Sequence, residues 1–65
     1  MKVILIKSDR HRSWYGPYVN KHLPLLGIDE DGFWSEEPSG PKNIVFKDDA
    51  EIINIPATQV KFYHG

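Results

Sequence analysis

Apolar residues fall in short runs along this chain, and charged residues or single glycines and prolines separate the runs. Runs of this length between turn-forming residues are typical of short β-strands. Met1–Lys7 is aliphatic on both faces of its pleat, which predicts a central first strand. Residues 8–20 then mix charge, aromatic rings and a Gly-Pro pair, which predicts a long structured loop.

The clearest local signal is a hairpin turn at Asp29–Gly32, where an Asp-Gly pair separates two strand-like runs. We expect Gly32 to adopt the positive φ that such a turn requires. The strand before the turn is predicted at His22–Ile28, and Pro24 within it indicates an edge position or a bulge. The strand after the turn is predicted at Phe33–Glu36.

The C-terminal half of the chain predicts two further strands and a tail. A fourth strand begins at Ile44–Phe46, and Lys47–Ala50 suits one turn of 3₁₀ helix. Glu51–Ile55 is predicted as a fifth strand, which Pro56 ends. In Thr58–His64 apolar and polar residues alternate, which predicts a sixth strand or an extended arm.

Together these elements predict an all-β fold of five or six short antiparallel strands with one 3₁₀ turn. The strands are expected to close a barrel over residues 1–55, and residues 56–65 are expected to form a C-terminal strand or arm. The expected core takes side chains from all five strands, namely Val3, Leu5, Leu23, Leu25, Ile28, Phe33, Ile44, Phe46, Ile52 and Ile53.

The composition agrees with one small folded domain. The chain has 65 residues, of which 40% are hydrophobic and 26% are charged. It has no cysteine, so neither a disulfide nor a cysteine zinc site can add to its stability. No apolar run approaches the roughly 20 residues of a membrane span, and the first residues do not form a signal peptide. The sequence predicts a soluble cytoplasmic protein with no membrane contact.

The charges divide unevenly along the chain, although the net charge is only −1. Residues 1–22 carry five Lys or Arg against one Asp, a balance of +4. Residues 29–51 carry eight acids against two Lys, a balance of −6. Two opposed electrostatic faces are one interpretation of this division. Interleaving of the charges once the chain folds is the other.

The polar residues offer no arrangement that is typical of a catalytic site. There is no thiol, no serine in a nucleophile elbow and no glycine-rich phosphate loop. The neighbouring carboxylates are interpreted as turn and surface residues, and the three scattered histidines as exposed side chains. The sequence therefore predicts neither enzyme activity nor a metal or cofactor.

Residues 7–18 are the most informative stretch for function, because cationic side chains precede three aromatic ones there. Single-stranded nucleic-acid grooves and protein interfaces both use this mixture. In an alternative interpretation, Trp14 and Tyr15 fill one open end of the core. Adjacent strand residues face opposite sides, so Phe33 is expected in the core and Trp34 on the surface. The candidate partner-binding residues are Arg10, Arg12, Trp14, Tyr15, Tyr18 and Trp34.

The chain opens with a strand and a long loop bearing Trp14-Tyr15, and an acidic Asp-Gly turn then precedes Phe33-Trp34. An Asp-Ala-Glu turn follows before Ile52-Ile53. Over Lys2–Ile53 this order resembles small SH3-like β-barrels of bacterial and bacteriophage proteins. Such barrels often carry glycine where this chain has Asn20-Lys21. The resemblance implies a groove for a proline-containing basic peptide, lined by Tyr15, Tyr18, Trp34 and the Pro38–Pro41 loop, with Glu36 and Glu37 at its rim.

These observations favour a small non-enzymatic protein, of bacteriophage or bacterial origin, that docks a protein partner and modulates its activity. The alternative is a nucleic-acid-binding barrel that uses the basic and aromatic first loop. The expected location is the cytoplasm, which is the host cytoplasm if a phage encodes the chain. A steep loss of affinity with salt would indicate phosphate contacts and would separate the two hypotheses.

Overall fold

The computed structural model describes residues 1–59, and this part of the chain is all-β, as predicted. Its strands are β1 (Lys2–Ile6), β2 (His22–Pro24), β3 (Gly27–Ile28), β4 (Phe33–Glu36), β5 (Lys42–Val45) and β6 (Ala50–Asn54). They form two antiparallel three-stranded sheets, in the orders β2-β1-β6 and β3-β4-β5. Single 3₁₀ turns lie at Gly16–Tyr18, Lys47–Asp49 and Ala57–Gln59.

The first sheet is built around β1, which confirms the prediction of a central first strand. On one side β1 pairs with β6 over its whole length, from Lys2 opposite Asn54 to Ile6 opposite Ala50. On the other side it pairs with β2, where Val3 lies opposite Pro24. Proline has no backbone N–H, so the edge position of β2 is the one that Pro24 predicted.

The predicted strand His22–Ile28 is divided between the two sheets, β2 in one and β3 in the other. The division falls at a bulge, because Gly27 pairs with Trp34 while the amide of Leu26 also donates to the Trp34 carbonyl at 2.8 Å. The expectation of a closed barrel is wrong for residues 1–59. Their strands stay in two separately hydrogen-bonded sheets that are packed together.

The core lies between the sheets and under the first loop. Its buried apolar residues are Val3, Ile4, Ile6, Tyr15, Leu23, Phe33, Val45 and Ala50. Of the predicted core, Val3, Leu23 and Phe33 are therefore confirmed.

The remaining predicted core residues are only partly buried or are exposed. Those that are half-buried are Leu5, Leu25, Ile44, Phe46, Ile52 and Ile53. In β5 the pleat places Val45 inward in place of Ile44, so the prediction there was wrong by one residue. Ile28 is 57% exposed because it lies on β3, at the edge of its sheet.

The β3–β4 hairpin turn has the predicted position. The amide of Asp29 donates to the Gly32 carbonyl at 3.0 Å, and the Asp29 side chain accepts from the amides of Asp31 and Gly32. Gly32 has a positive φ of 158°, as expected. A side chain at Gly32 would overlap the backbone carbonyl of Val45 on β5, so the close approach of the two strands requires glycine here.

The C-terminal tail starts differently from its prediction. Ala57–Gln59 forms a 3₁₀ turn, so Thr58 and Gln59 begin neither a strand nor an extended arm. The rest of the predicted tail, 60–65, lies outside the described residues. Within the described part of the chain, no helix has the length and apolar character needed to cross a membrane.

Substitution of Gly32 by valine should lower the free energy of unfolding by about 2 kcal/mol, because the new side chain would push β5 away from the turn. Gly40 is the matched control, since it has a φ of 124° but no atom within 4 Å of the position that a Cβ would take. Gly40→Val should lose only the backbone strain of about 1 kcal/mol. Urea denaturation of both variants measures the difference, and equal losses would contradict the overlap with Val45.

Candidate functional site

The long first loop, residues 7–21, is held in place by Asp49 at the end of the second 3₁₀ turn. The Asp49 carbonyl accepts the amides of Lys7 and Ser8 at 2.7 and 3.1 Å. One carboxylate oxygen accepts the Ser8 hydroxyl at 2.7 Å and the Arg10 amide at 3.0 Å. The other accepts the hydroxyl of Tyr15. We call this set of contacts the Asp49 anchor.

The Asp49 anchor is buried, and its burial sets the protonation of both of its acidic groups. Burial alone raises the pKa of the Asp49 carboxyl, but hydrogen bonds from Tyr15, Arg10 and Ser8 outweigh it and hold that pKa below its usual value. Burial, followed by the hydrogen bond to Asp49, raises the pKa of the Tyr15 hydroxyl. At neutral pH the anchor is therefore a carboxylate that accepts a hydrogen bond from a neutral phenol.

Two of the predicted partner-binding aromatics turn inward instead. Tyr15 is fully buried, which leaves its ring no exposed surface among the described residues. The Tyr15 hydroxyl donates a hydrogen bond to the Asp49 carboxylate, and the ring packs in the core. Trp14 is half-buried, packs edge-on against Tyr15 at 5.6 Å and donates its indole N–H to the Ile44 carbonyl at 2.8 Å. The interpretation that these two rings close one end of the core describes their positions.

Tyr18 and the two arginines of the loop have different positions. Tyr18 lies in the 3₁₀ turn and packs, half-buried, against the core. Arg10 and Arg12 are exposed, as predicted. Arg12 has a left-handed φ of 49°. Two hydrogen bonds hold this turn: the Arg12 amide donates to the Asp9 carbonyl, and the Ser13 amide donates to the Asp9 carboxylate. The loop therefore presents cations, but not its aromatic rings, as its most accessible groups.

The loop closes onto β2 through Asn20, where the resemblance to SH3-like barrels led us to expect glycine. Asn20 has a left-handed φ of 67°, which asparagine tolerates better than other residues with a side chain. Its amide donates to the Ile6 carbonyl at 2.7 Å, and the Ile6 amide donates to the Lys21 carbonyl at 3.1 Å. The departure from glycine at this position is therefore accommodated by the backbone.

Trp34 is the predicted aromatic site residue that stays exposed in the described structure. Phe33 is buried and Trp34 is 39% exposed, which confirms the expected division of this pair. The indole N–H of Trp34 donates to the Asp29 carboxylate at 2.5 Å, so the ring is held by the turn of its own hairpin. The same bond is the largest cause that lowers the pKa of Asp29, and it keeps this carboxyl charged.

Trp34 is one of several exposed apolar residues at the β3–β4 hairpin, and they lie on both of its faces, since Ile28 is opposite the inward Phe33 and Trp34 faces the other side. Among the described residues, four large hydrophobic side chains are exposed, and three of them, Leu26, Ile28 and Trp34, lie on or beside the β3–β4 hairpin. We call these three residues the hairpin surface. Leu26 is 47% exposed at the bulge, where the normal alternation of side chains is interrupted. No concave pocket opens on residues 1–59, so the region is a surface and not a cleft.

The charge around the hairpin surface is acidic. Residues 23–41 carry five carboxylates, Asp29, Glu30, Asp31, Glu36 and Glu37, and no Lys or Arg. In the part of the chain that the structure describes, no Lys or Arg forms an ion pair with any of the five. The loop, in contrast, meets the other acids, since Lys7 pairs with Glu51 at 3.7 Å and His11 lies beside Asp48. The charges of the loop therefore interleave with those of residues 48–51, whereas the hairpin forms a separate acidic region.

One cluster brings together side chains that are able to bind metals. His11, Asp48 and Asp49 have ligand atoms within 4.8 Å of one another, and the His11 ring also stacks on Phe46 at 4.1 Å. The scattered histidines gave no sequence signal for this proximity. Asp49 is buried and its oxygens already accept three hydrogen bonds, which leaves two accessible ligands. A structural zinc site takes four, so the cluster is better described as a surface pair above the Asp49 anchor.

No protein-family model, curated protein or solved structure matches this chain. The resemblance to SH3-like barrels therefore stays a prediction. The functional argument depends on the geometry of residues 1–59. There the hairpin carries accessible apolar side chains beside carboxylates that form no ion pair with a described Lys or Arg, although Lys42 lies opposite Glu36 and Lys47 helps to lower the pKa of Asp29.

Substitution of Asp49 by asparagine should lower the free energy of unfolding by about 2–3 kcal/mol, because an amide replaces a charged acceptor of three hydrogen bonds. Asp48→Asn is the matched control, since Asp48 is the adjacent and exposed residue. It should change stability by less than about 0.5 kcal/mol. Chemical denaturation at neutral pH measures both, and similar losses would contradict the anchor.

Stability should fall on both sides of neutral pH. The folded-state pKa of Asp49 lies below its unfolded value of about 3.9, so its contribution is present above that pH and is lost as pH falls through the folded pKa. The folded-state pKa of Tyr15 lies above its unfolded value of about 10, so its contribution is present below that pH and is lost as pH rises.

Unfolding free energies across pH for the parent, Asp49→Asn and Tyr15→Phe test these two signs. The difference between the parent and Asp49→Asn should shrink below about pH 4. Tyr15→Phe should lose less stability than the parent above about pH 10. A difference that stays constant across the acidic range would show that Asp49 titrates normally.

Proposed function

We propose that this protein is a non-enzymatic binding protein that docks a protein partner through the hairpin surface and modulates that partner's activity. The supporting observation is the placement of three of the four exposed large hydrophobic residues on one hairpin of the described chain. Large exposed apolar side chains bordered by polar residues are typical of protein interaction sites.

Trp34 is suited to the centre of such an interface. Tryptophan dominates interface energies because one large ring gains much apolar contact. Its bond to Asp29 already fixes the ring before a partner arrives, so docking loses little side-chain entropy. Ile44 lies opposite Trp34 on β5 and extends the apolar contact across the sheet.

Arg10 and Arg12 have a supporting role in this proposal. Both are exposed on the first loop, and neither forms an ion pair in the described residues. Exposed charges at the border of an interface mainly change the rate of association. The loop therefore attracts an acidic region of the partner during encounter, and the hairpin surface holds a separate segment of the same partner.

Nucleic-acid binding has less support than protein docking. That alternative needs aromatic rings on which bases stack, beside cations that contact phosphates. Tyr15 is buried, Trp14 is half-buried with its indole N–H engaged, and the accessible Trp34 is surrounded by carboxylates. Carboxylates at the stacking platform repel a phosphate backbone.

The proposal includes an SH3-like arrangement of bacterial or bacteriophage type that acts in the cytoplasm. The order of the elements supports it, with a long first loop, a hairpin across the second sheet and a 3₁₀ turn before β6. The two sheets share the strand segment that passes from β2 to β3 at a bulge. Among the described residues, this arrangement leaves Leu26, Ile28 and Trp34 exposed on the hairpin.

Substitution of Trp34 by alanine should weaken partner binding by about 2 kcal/mol, mainly through faster dissociation. The partner is first captured from a bacterial lysate with the intact protein and identified, and its binding kinetics are then measured. Arg10→Ala should mainly slow association. Glu51→Ala, on the other sheet, is the control and should leave both rates unchanged. A Trp34→Ala variant that folds and binds like the parent would place the interface elsewhere.

A further inference from the structure

The second sheet has two outer edges, and among the described residues their backbone groups are satisfied to different extents. At the β5 edge, the Ile44 amide donates to the Asn43 side chain at 2.8 Å and the Ile44 carbonyl accepts the Trp14 indole at 2.8 Å. Side chains thus satisfy the backbone groups that would otherwise attract another strand. The β5 edge is therefore closed to pairing at Ile44.

The opposite edge, at β3, has backbone groups that face outward. In an antiparallel ladder, successive residues direct their N–H and C=O alternately toward and away from the neighbouring strand. The amides of Leu26 and Asp29 are bonded within the hairpin, at 2.8 and 3.0 Å. Ile28 lies between them, so its N–H and C=O point away from β4, where the sheet has no further strand among the described residues. Leu26 and the Ile28 side chain flank this position and are exposed.

The charge beside this edge identifies the chemistry of its occupant. The turn that follows Ile28 carries three carboxylates, and Glu36 and Glu37 follow on the same hairpin without a Lys or Arg partner in the described chain. A bound segment with Lys or Arg gains from these charges. A second copy of this chain is disfavoured, because pairing two β3 edges would bring together two turns that each carry three carboxylates.

We propose that the β3 edge binds an extended, cationic segment of another protein, which pairs with the backbone of Ile28 and packs apolar side chains on the hairpin surface. This inference rests on the proposed function and specifies its partner class. Backbone pairing supplies the alignment, as in strand addition to a sheet edge. The carboxylates select for basic residues, and Trp34 supplies apolar contact.

The test uses a defined probe, the acetylated and amidated hexapeptide Lys-Val-Lys-Val-Lys-Val, added to the intact protein and followed by amide NMR. We expect the Ile28 amide to become protected from hydrogen exchange and the Trp34 indole signal to shift. The Asp29 amide is the internal control, because it is already bonded. Two matched peptides, one with Glu for Lys and one with every backbone N–H methylated, should each bind at least about tenfold more weakly.

Each result separates this inference from the proposed function. Equal binding of the methylated peptide with a shift of Trp34 would overturn strand pairing and leave docking on the hairpin surface intact. Equal binding of the Glu peptide would overturn the cationic partner. No binding of the Lys peptide at millimolar concentration would overturn the edge proposal as a whole. The proposed function fails on a different measurement, the unchanged affinity of Trp34→Ala for the captured partner.

Glu30→Lys gives a second route to the charge requirement, because Glu30 is exposed and its side chain forms no ion pair in the described chain. This variant should weaken binding of the Lys peptide several-fold and strengthen binding of the Glu peptide. Glu51→Lys, on the first sheet, should change neither. An equal effect of the two substitutions would show that only the net charge of the protein matters.

Discussion

The structure depends on the buried carboxylate of Asp49. It bonds to residues that precede it by 34 to 41 positions, so it ties the long first loop to the turn that starts β6. β6 is also the strand that pairs with β1 over its full length. Loop closure and formation of the first sheet are therefore coupled through one side chain. Without that acceptor, a buried phenol, a hydroxyl and an amide would each lose a hydrogen bond, at a cost of about 1–3 kcal/mol per group.

The Asp49 anchor also decides which aromatic residues are available for recognition. Tyr15 is drawn into the core because its hydroxyl serves Asp49, and Trp14 follows it to the β5 edge, where its indole closes the sheet. Both rings therefore stabilise the fold. Trp34 is then the exposed aromatic residue that is available for recognition. Its ring is positioned by a hydrogen bond to Asp29 within its own hairpin. The residues of the loop that remain exposed are its cations, which act at longer range than an apolar contact does.

Features that depend on neighbours in sequence could be predicted, and features that depend on distant contacts could not. The Asp-Gly turn, the inward Phe33 with the outward Trp34, and the 3₁₀ turn before β6 follow from turn chemistry and from the alternation of a strand. The inward position of Val45 depends on its pairing with Phe33 between β5 and β4, and the local sequence pattern does not predict this register. The burial of Asp49 could not be predicted either, because an Asp-Asp pair in a turn is typical of solvent-exposed residues. The groups that donate hydrogen bonds to its carboxylate lie in the first loop, far away in sequence.

The two edges of the second sheet show why the hairpin, and not the loop, is the more informative surface. A sheet that exposes unpaired backbone groups invites uncontrolled association unless side chains, charge or bulges limit it. Here Trp14 and Asn43 satisfy the backbone groups of Ile44 at the β5 edge, and the β3 edge is limited to a short segment by the bulge at Leu26. Carboxylates beside that segment repel an identical edge but attract a basic one. The same charges that oppose self-association therefore make the edge selective.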